Sequence, residues 1–376
     1  LGSLGCALSQ TLEQLTLARI LQGLGAGGIM SINSALVRFT YPKRLLGRGI
    51  GLNALVISIA AAIGPTVASA ILAKATWEWL FAINVPIGVL AIAIAGRALP
   101  RTVGSDRPFD WLSAVLNALT FGFLITGAES VARDGLAAGL WKLAVGAVAG
   151  AILVRRELRR DAPLVPFDLL RIPIFGLSIA TSIVSFTAQM MAFVGLPFYF
   201  QTVLGKSAVT TGLLMTPWPV AVGIAAPIAG RLADRYRAGA LGGAGMAVMA
   251  VGLFALSMVG PGASDLDIAW RMALCGLGFG FFQSPNNRAM VTSAPMHRSG
   301  AAGGALATAR LLGQTVGAVT TAVFFHLSGA HATTTALATA GVLAVVAALV
   351  SLSRLKLAPR PRPEPLDREA EVAAGP

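Results

Sequence analysis

Residues 21–27 read Leu-Gln-Gly-Leu-Gly-Ala-Gly, and residues 274–280 read Leu-Cys-Gly-Leu-Gly-Phe-Gly, an offset of 253. The match continues at the same offset. Ser31 meets Ser284, Asn33 meets Asn286, Pro42 meets Pro295, Gly47 meets Gly300, Gly51 meets Gly304 and Gly64 meets Gly317. Both copies lie in apolar runs of about 20 residues, the length that crosses the hydrocarbon core of a bilayer. In lipid each backbone polar group must be satisfied within its own segment, so such runs are helices. The chain is therefore expected to be all-α and polytopic. A parallel repeat of membrane helices implies two similar halves around a central site, an organisation typical of transporters.

Composition agrees: 55% of the residues are hydrophobic and 12% charged, against about 25% charged in soluble domains. Windows of span length fall at roughly 12–37, 48–73, 78–97, 110–130, 138–155, 174–201, 208–230, 240–260, 267–290, 301–326 and 332–354. Leu1–Leu8 reads as the tail of another. The reading divides the chain into a remainder of an N-terminal bundle (1–97), a linker with two extra spans (98–171), a six-helix C-terminal bundle (172–355) and a Pro- and charge-rich disordered tail (356–376). If the first half also has six helices, the plan is six, two and six, with the first two and most of the third missing. The expectation is an N-terminally truncated chain.

The net charge is +13. The basic residues sit in alternate loops, among them Arg38/Lys43/Arg44/Arg48, Arg97/Arg101/Arg107, Arg155–Arg160, Arg231/Arg235/Arg237, Arg288/Arg298 and Arg354/Lys356. That is the positive-inside pattern, with a cytoplasmic C-terminus, and it accounts for the charge without nucleic acid. Cys6 and Cys275 lie in apolar segments, and His297, His326 and His331 are scattered. Neither set suggests a metal site. No P-loop and no nucleophile with a base is present, which argues against an ATP-driven pump or an enzyme and implies no cofactor. No signal-peptide pattern precedes the first span.

Four motifs sharpen the reading. Arg19, Gln22, Gly23 and Gly25 stand as Arg-x-x-Gln-Gly-x-Gly, which resembles the fourth-helix motif of major facilitator superfamily transporters. Gly64-Pro65 resembles the centre of the antiporter motif in the fifth helix, with Ala68 and Ser69 where that motif usually has Gly-Gly. Trp77, Trp79, Phe81, Asn84 and Pro86 are similar to the Trp-x-Trp-x-Phe-x-x-Asn-x-Pro signature of the fourteen-span drug:proton antiporter branch. Gly230-Arg231-Leu232-Ala233-Asp234-Arg235 resembles the cytoplasmic loop motif in its second-half position. The resemblance implies a role for Arg19, with Gln22, in the cavity and in proton coupling. It also implies helix packing at Gly23, Gly27, Gly64 and Pro65, and a cytoplasmic latch of Gly230, Asp234 and Arg235. For Arg19 the alternative is a side chain snorkelling to headgroups; for the glycines it is packing alone.

Arg310 and Gln314 lie mid-span one helical turn apart. A charge there is costly and marks a cavity, an acid partner or an anionic ligand. Asn286, Asn287 and Gln283 are either cavity wall or interhelical hydrogen bonds. Phe186, Gln189, Met190, Phe193 and Trp218 are either cavity lining or core. All sixteen acids fall in loops, tails or span ends. A coupling acid is therefore either absent with the first helix or is Glu13, Asp110 or Glu129. The implied function is proton-coupled export of small amphipathic compounds by a monomer in a bacterial inner membrane, with lipid, protons and a small-molecule substrate as partners. The alternatives are a metabolite or siderophore carrier, or an inactive fragment.

Overall fold

The structure is a computed structural model, and it describes residues 1–72, 74–99, 110–134, 136–159, 167–328 and 331–357. Residues 100–109 and 160–166 of the linker, and the tail from 358 onward, lie outside these residues. Among the described residues every regular element is helical. The first half contains α1 (Gly2–Ala7), α2 (Leu12–Thr40), α3 (Leu46–Leu72), α4 (Trp79–Ala82) and α5 (Asn84–Ala98). A hairpin follows, α6 (Trp111–Asp134) and α7 (Leu136–Glu157), then the short α8 (Phe167–Leu170). The second half contains α9 (Pro173–Phe198), α10 (Ala208–Met215), α11 (Pro217–Ala233), α12 (Ala238–Ser257), α13 (Asp265–Ser293), α14 (Ser299–Ser328) and α15 (Ala332–Ser353).

The sequence repeat is also a repeat of helix ends. Shifting Leu12 and Thr40 by 253 gives Asp265 and Ser293, the ends of α13, and shifting Leu46 gives Ser299, the start of α14. Each copy opens on a hydroxyl cap, Thr11 accepting from the Gln14 amide and Ser264 from the Asp267 amide. These caps satisfy amides that a helix start leaves unpaired. Each copy also turns through a short 3₁₀ segment after a proline, Pro42 or Pro295, where the missing N–H interrupts the α-ladder.

Nine helices among the described residues are long and apolar enough to cross a membrane. Helices α13 and α14 reach 29 and 30 residues and stand outside that set. Two expected spans are interrupted. The span at 208–230 breaks between α10 and α11, where Pro217 cannot donate to the preceding turn. The span at 78–97 breaks between α4 and α5 at Ile83.

The second half packs around Met191, Trp218, Met249, Leu253, Met272 and Phe279. Glycines set the distances between its helices. A Cβ at Gly276 would lie 2.2 Å from the Trp218 carbonyl, one at Gly280 2.7 Å from Ala225 Cβ, and one at Gly278 2.4 Å from the Met249 amide. Gly276 and Gly280 thus admit α11 on one face of α13, and Gly278 admits α12 on the other. The corresponding Gly23, Gly25 and Gly27 of α2 have no atom within 4 Å of a built Cβ, and neither has Gly64. Close packing at Gly23, Gly27 and Gly64 is therefore not made by the described residues. The Pro65 side chain lies outside them, although α3 runs on through that position.

The α6–α7 hairpin closes through Gly139, whose Cβ would sit 2.3 Å from the Gly127 carbonyl. At its open end Arg156 pairs with Asp110 at 3.2 Å. The Ser113 hydroxyl lies between the Asp110 and Glu157 carboxylates.

Candidate functional site

The two halves meet where α3 runs along α11. A Cβ at Gly47 would come within 2.2 Å of the Gly230 carbonyl, and one at Gly51 within 2.8 Å of the Ala226 carbonyl. Backbone therefore touches backbone along this seam. Asp234, the C-cap of α11, accepts a 2.9 Å hydrogen bond from the Gly47 amide at the first turn of α3. Unpaired amides and the helix dipole favour a negative charge at that place. The same carboxylate oxygen lies 3.2 Å from Arg288 Nε of α13, an ion pair by distance without hydrogen-bond alignment. A second tie runs from α2, where Arg38 donates to Ser299 Oγ and to the Ala294 carbonyl, both at 2.9 Å. Both ties sit at the end of the bundle that carries the basic loops. Arg235 is exposed, and Arg288 stands beside Asp234 instead.

Inward of these ties lies a cavity of about 380 Å³ between α2 and α3 on one side and α9, α13 and α14 on the other. Its polar wall is Asn33, Asn53, Gln283, Asn287 and Arg310. Its apolar wall includes Ile29, Ile50, Ile57, Leu306 and Phe186. Asn33 donates to the Asn53 amide oxygen at 3.2 Å, joining α2 to α3. The Arg310 guanidinium lies over the Phe186 ring, 5.4 Å from its centroid. Phe186 is held in turn by edge contact with Phe279 at 5.3 Å and by Gly313, where a Cβ would approach to 2.8 Å of Phe186 Cβ. The ring is a fixed platform for the cation.

Of the expected pathway residues, Arg310 lines this cavity; Arg19, Gln22, Gln189, Gln314 and Asn286 do not. Arg19 is exposed, donates to Gln22 at 2.7 Å and lies 5.8 Å from the Phe81 ring, while Gln22 donates to Ser3. Gln314 faces a separate groove of about 420 Å³ together with Glu129 and Met190. Phe193 and Trp218 pack on each other at 5.1 Å in the second-half core. The Asn286 alternatives resolve to an interhelical hydrogen bond. Asn286 is fully buried, donates to Ser182 Oγ at 2.8 Å and accepts from Arg354 at 2.7 Å. Its neighbour Asn287 faces the cavity, because one residue turns a helix by about 100°. Sequence alone does not identify Asn33, Asn53, Arg38, Gly47 and Arg288 as functional: the repeat marks Asn33 and Gly47, and topology accounts for the two arginines.

Comparison with known proteins places this geometry. The Major Facilitator Superfamily profile matches residues 1–318. The uncharacterized transporter YebQ of Escherichia coli is 52% identical over 94% of this chain and 78% of its own length. The lincomycin resistance protein LmrB of Listeria monocytogenes is 30% identical over 76% of this chain, which spans 61% of LmrB. The human organic anion transporter MFSD10 superposes with a TM-score of 0.62 at 14% identity, over 93% of this chain and 74% of its own, and is a likeness of fold. By family match and by the YebQ relationship, the chain belongs to the major facilitator superfamily and is a multi-pass membrane transporter rather than an enzyme.

Proposed function

We propose that this chain is a secondary active transporter of the fourteen-span drug:proton branch, exporting small amphipathic compounds in exchange for protons. The observation that carries the reading is a partly polar cavity between two repeat-related sets of helices, tied at one end through Asp234, Gly47, Arg288 and Arg38. Breaking these ties and rocking the halves would move the opening from one face of the membrane to the other. The basic end is taken as cytoplasmic on the positive-inside rule, in a bacterial inner membrane. The Trp77–Pro86 signature and the resistance named for LmrB support the branch. The open glycine face of α2 is where we place the further helices of a six-helix first half, since the same glycines in α13 are covered on two sides.

No cofactor enters this mechanism; the proton gradient drives it. Among the three acids near membrane depth, Glu13 lies on the first turn of α2 and Asp110 immediately before α6, both at helix ends. Glu129 lines the groove beside Gln314, so we assign proton exchange to Glu129.

The test is efflux of a fluorescent amphipath from cells or proteoliposomes containing the natural full-length gene product. Uncoupler-sensitive efflux, retained at a fixed outward substrate gradient but uncoupled from pH in Glu129→Gln, is the expected result. Uncoupler-insensitive efflux would remove the proton from the scheme, and absence of flux for any amphipath would remove export.

A further inference from the structure

We infer that the cavity binds an anionic amphipath, its carboxylate or sulfonate seated on Arg310. The inference rests on the transport reading of the cavity and names the substrate class.

The argument begins with how this fold satisfies its other inward arginines. Arg354, 3% exposed, meets Asn286 Oδ1 and Ser178 Oγ, both at 2.7 Å, and the Ser351 hydroxyl. Arg288 has Asp234, Arg38 has Ser299 and the Ala294 carbonyl, and Arg271 has Asp267 at 2.7 Å. Arg310 has none of this. Among the described residues no carboxylate, carbonyl or hydroxyl accepts from its guanidinium, which lies against the face of Phe186. Ionised groups at membrane depth are expensive unless they are paired or face water or a ligand. Here the missing counter-charge has a place to come from, because Arg310 lines the cavity.

The rest of the lining defines the ligand. No Asp or Glu lies among the lining residues, so a cation entering would meet an unopposed positive charge. Asn33, Asn53, Gln283 and Asn287 carry amide N–H donors that supplement the guanidinium. Ile29, Ile50, Ile57 and Leu306 offer an apolar wall for a hydrocarbon or aromatic body. A guanidinium stacked on an aromatic ring keeps its in-plane N–H donors available, and that fork matches a carboxylate or sulfonate oxygen pair. The cavity thus has a polar head site and an apolar body site.

Two dyes of nearly the same shape separate the terms: the anionic 8-anilinonaphthalene-1-sulfonate and the uncharged N-phenyl-1-naphthylamine. Each is titrated by equilibrium dialysis onto the natural full-length protein in phosphatidylcholine nanodiscs, with empty nanodiscs as blank. Arg310→Gln should weaken the sulfonate about 10- to 100-fold, the range of a charge-assisted hydrogen bond. The uncharged dye should stay within about 2-fold, a change too small for a lost charge-assisted bond. Arg310→Lys should fall between wild type and Gln, because it keeps charge and loses the fork. If Arg310→Gln loses both dyes through misfolding, Arg310→Lys decides, because it keeps the charge: it should retain the uncharged dye and bind the sulfonate less tightly than wild type. Equal sulfonate affinity in wild type and in an Arg310 variant that retains the uncharged dye overturns the proposal. So does loss of the Arg310-dependent component when phosphatidylglycerol replaces phosphatidylcholine, which would assign the site to a lipid headgroup. Flux of both dyes, measured separately in proteoliposomes, distinguishes the two readings. Flux that ignores Arg310 would remove the substrate class and keep transport; Arg310-dependent binding without flux would keep the site and remove transport.

Discussion

A methyl group at Gly47 tests whether the seam between α3 and α11 holds the conformation seen here. A Cβ at that position would stand 2.2 Å from the Gly230 carbonyl and 2.6 Å from Asp234 Oδ1. Ordinary contact begins near 3.4 Å, so the helices must part by roughly 1 Å, and the Asp234–Gly47 hydrogen bond stretches with them. Overpacking of this kind costs about 1–3 kcal/mol when the structure must absorb it. A transporter has a second basin in which the two ends are apart, so the cost falls on one conformer. Gly47→Ala should therefore shift the conformer ratio about 5- to 150-fold away from the tied state. Spin labels at Arg48→Cys and Arg235→Cys, both exposed, report the separation, and Cys6 and Cys275 are buried. The expected result is a new long-distance population in Gly47→Ala. Gly64→Ala is the control, because no atom lies within 4 Å of its Cβ. It should leave the distribution unchanged and favour the helix by about 0.5–1 kcal/mol. A uniform shift of about 1 Å in Gly47→Ala, with no second population, would refute the reasoning: the seam would then be yielding locally.

Neighbouring asparagines should behave in opposite ways. Asn286→Ala removes an acceptor from buried Arg354 and should cost about 1.5–3 kcal/mol, read as a lower melting temperature. Asn287→Ala should leave melting within about 0.5 kcal/mol and weaken ligand binding at the cavity wall. Melting curves that rank the two in the other order would show the network to be misassigned. Asp110, which precedes α6, is held down to about 2 by the Ser113 hydroxyl first, then by the Ser113 amide and by Arg156, against the opposing effect of desolvation. A depressed carboxyl stabilises the fold above its ordinary value and loses that contribution as pH falls from about 4 towards about 2. The melting difference between wild type and Asp110→Asn should therefore be full at neutral pH and shrink below about pH 4. A difference that grows on acidification would contradict the pairing.

Apolar run length and the 253-residue repeat determined by themselves that the chain is helical, where most helices lie, and which helices correspond. These are local properties. Span length and backbone satisfaction in lipid depend on a segment's own residues, and Thr11 and Ser264 cap their helices whatever lies nearby. Arg310 was also legible, because a charge mid-span is costly wherever it points. Partnership was not legible. Gly23 and Gly276 stand in the same motif, yet α11 covers one and the described residues leave the other open. Asn286 and Asn287 are adjacent and chemically identical; packing sends one to Arg354 and the other to the cavity. Arg235 follows Asp234 in the chain, yet Arg288, fifty-four positions away, is beside it. Each of these choices depends on which helix lies alongside, and side chains meet across helices at separations that no local pattern encodes. Tertiary structure alone decided which polar residues serve the cavity, which tie the halves, and which hold the bundle together.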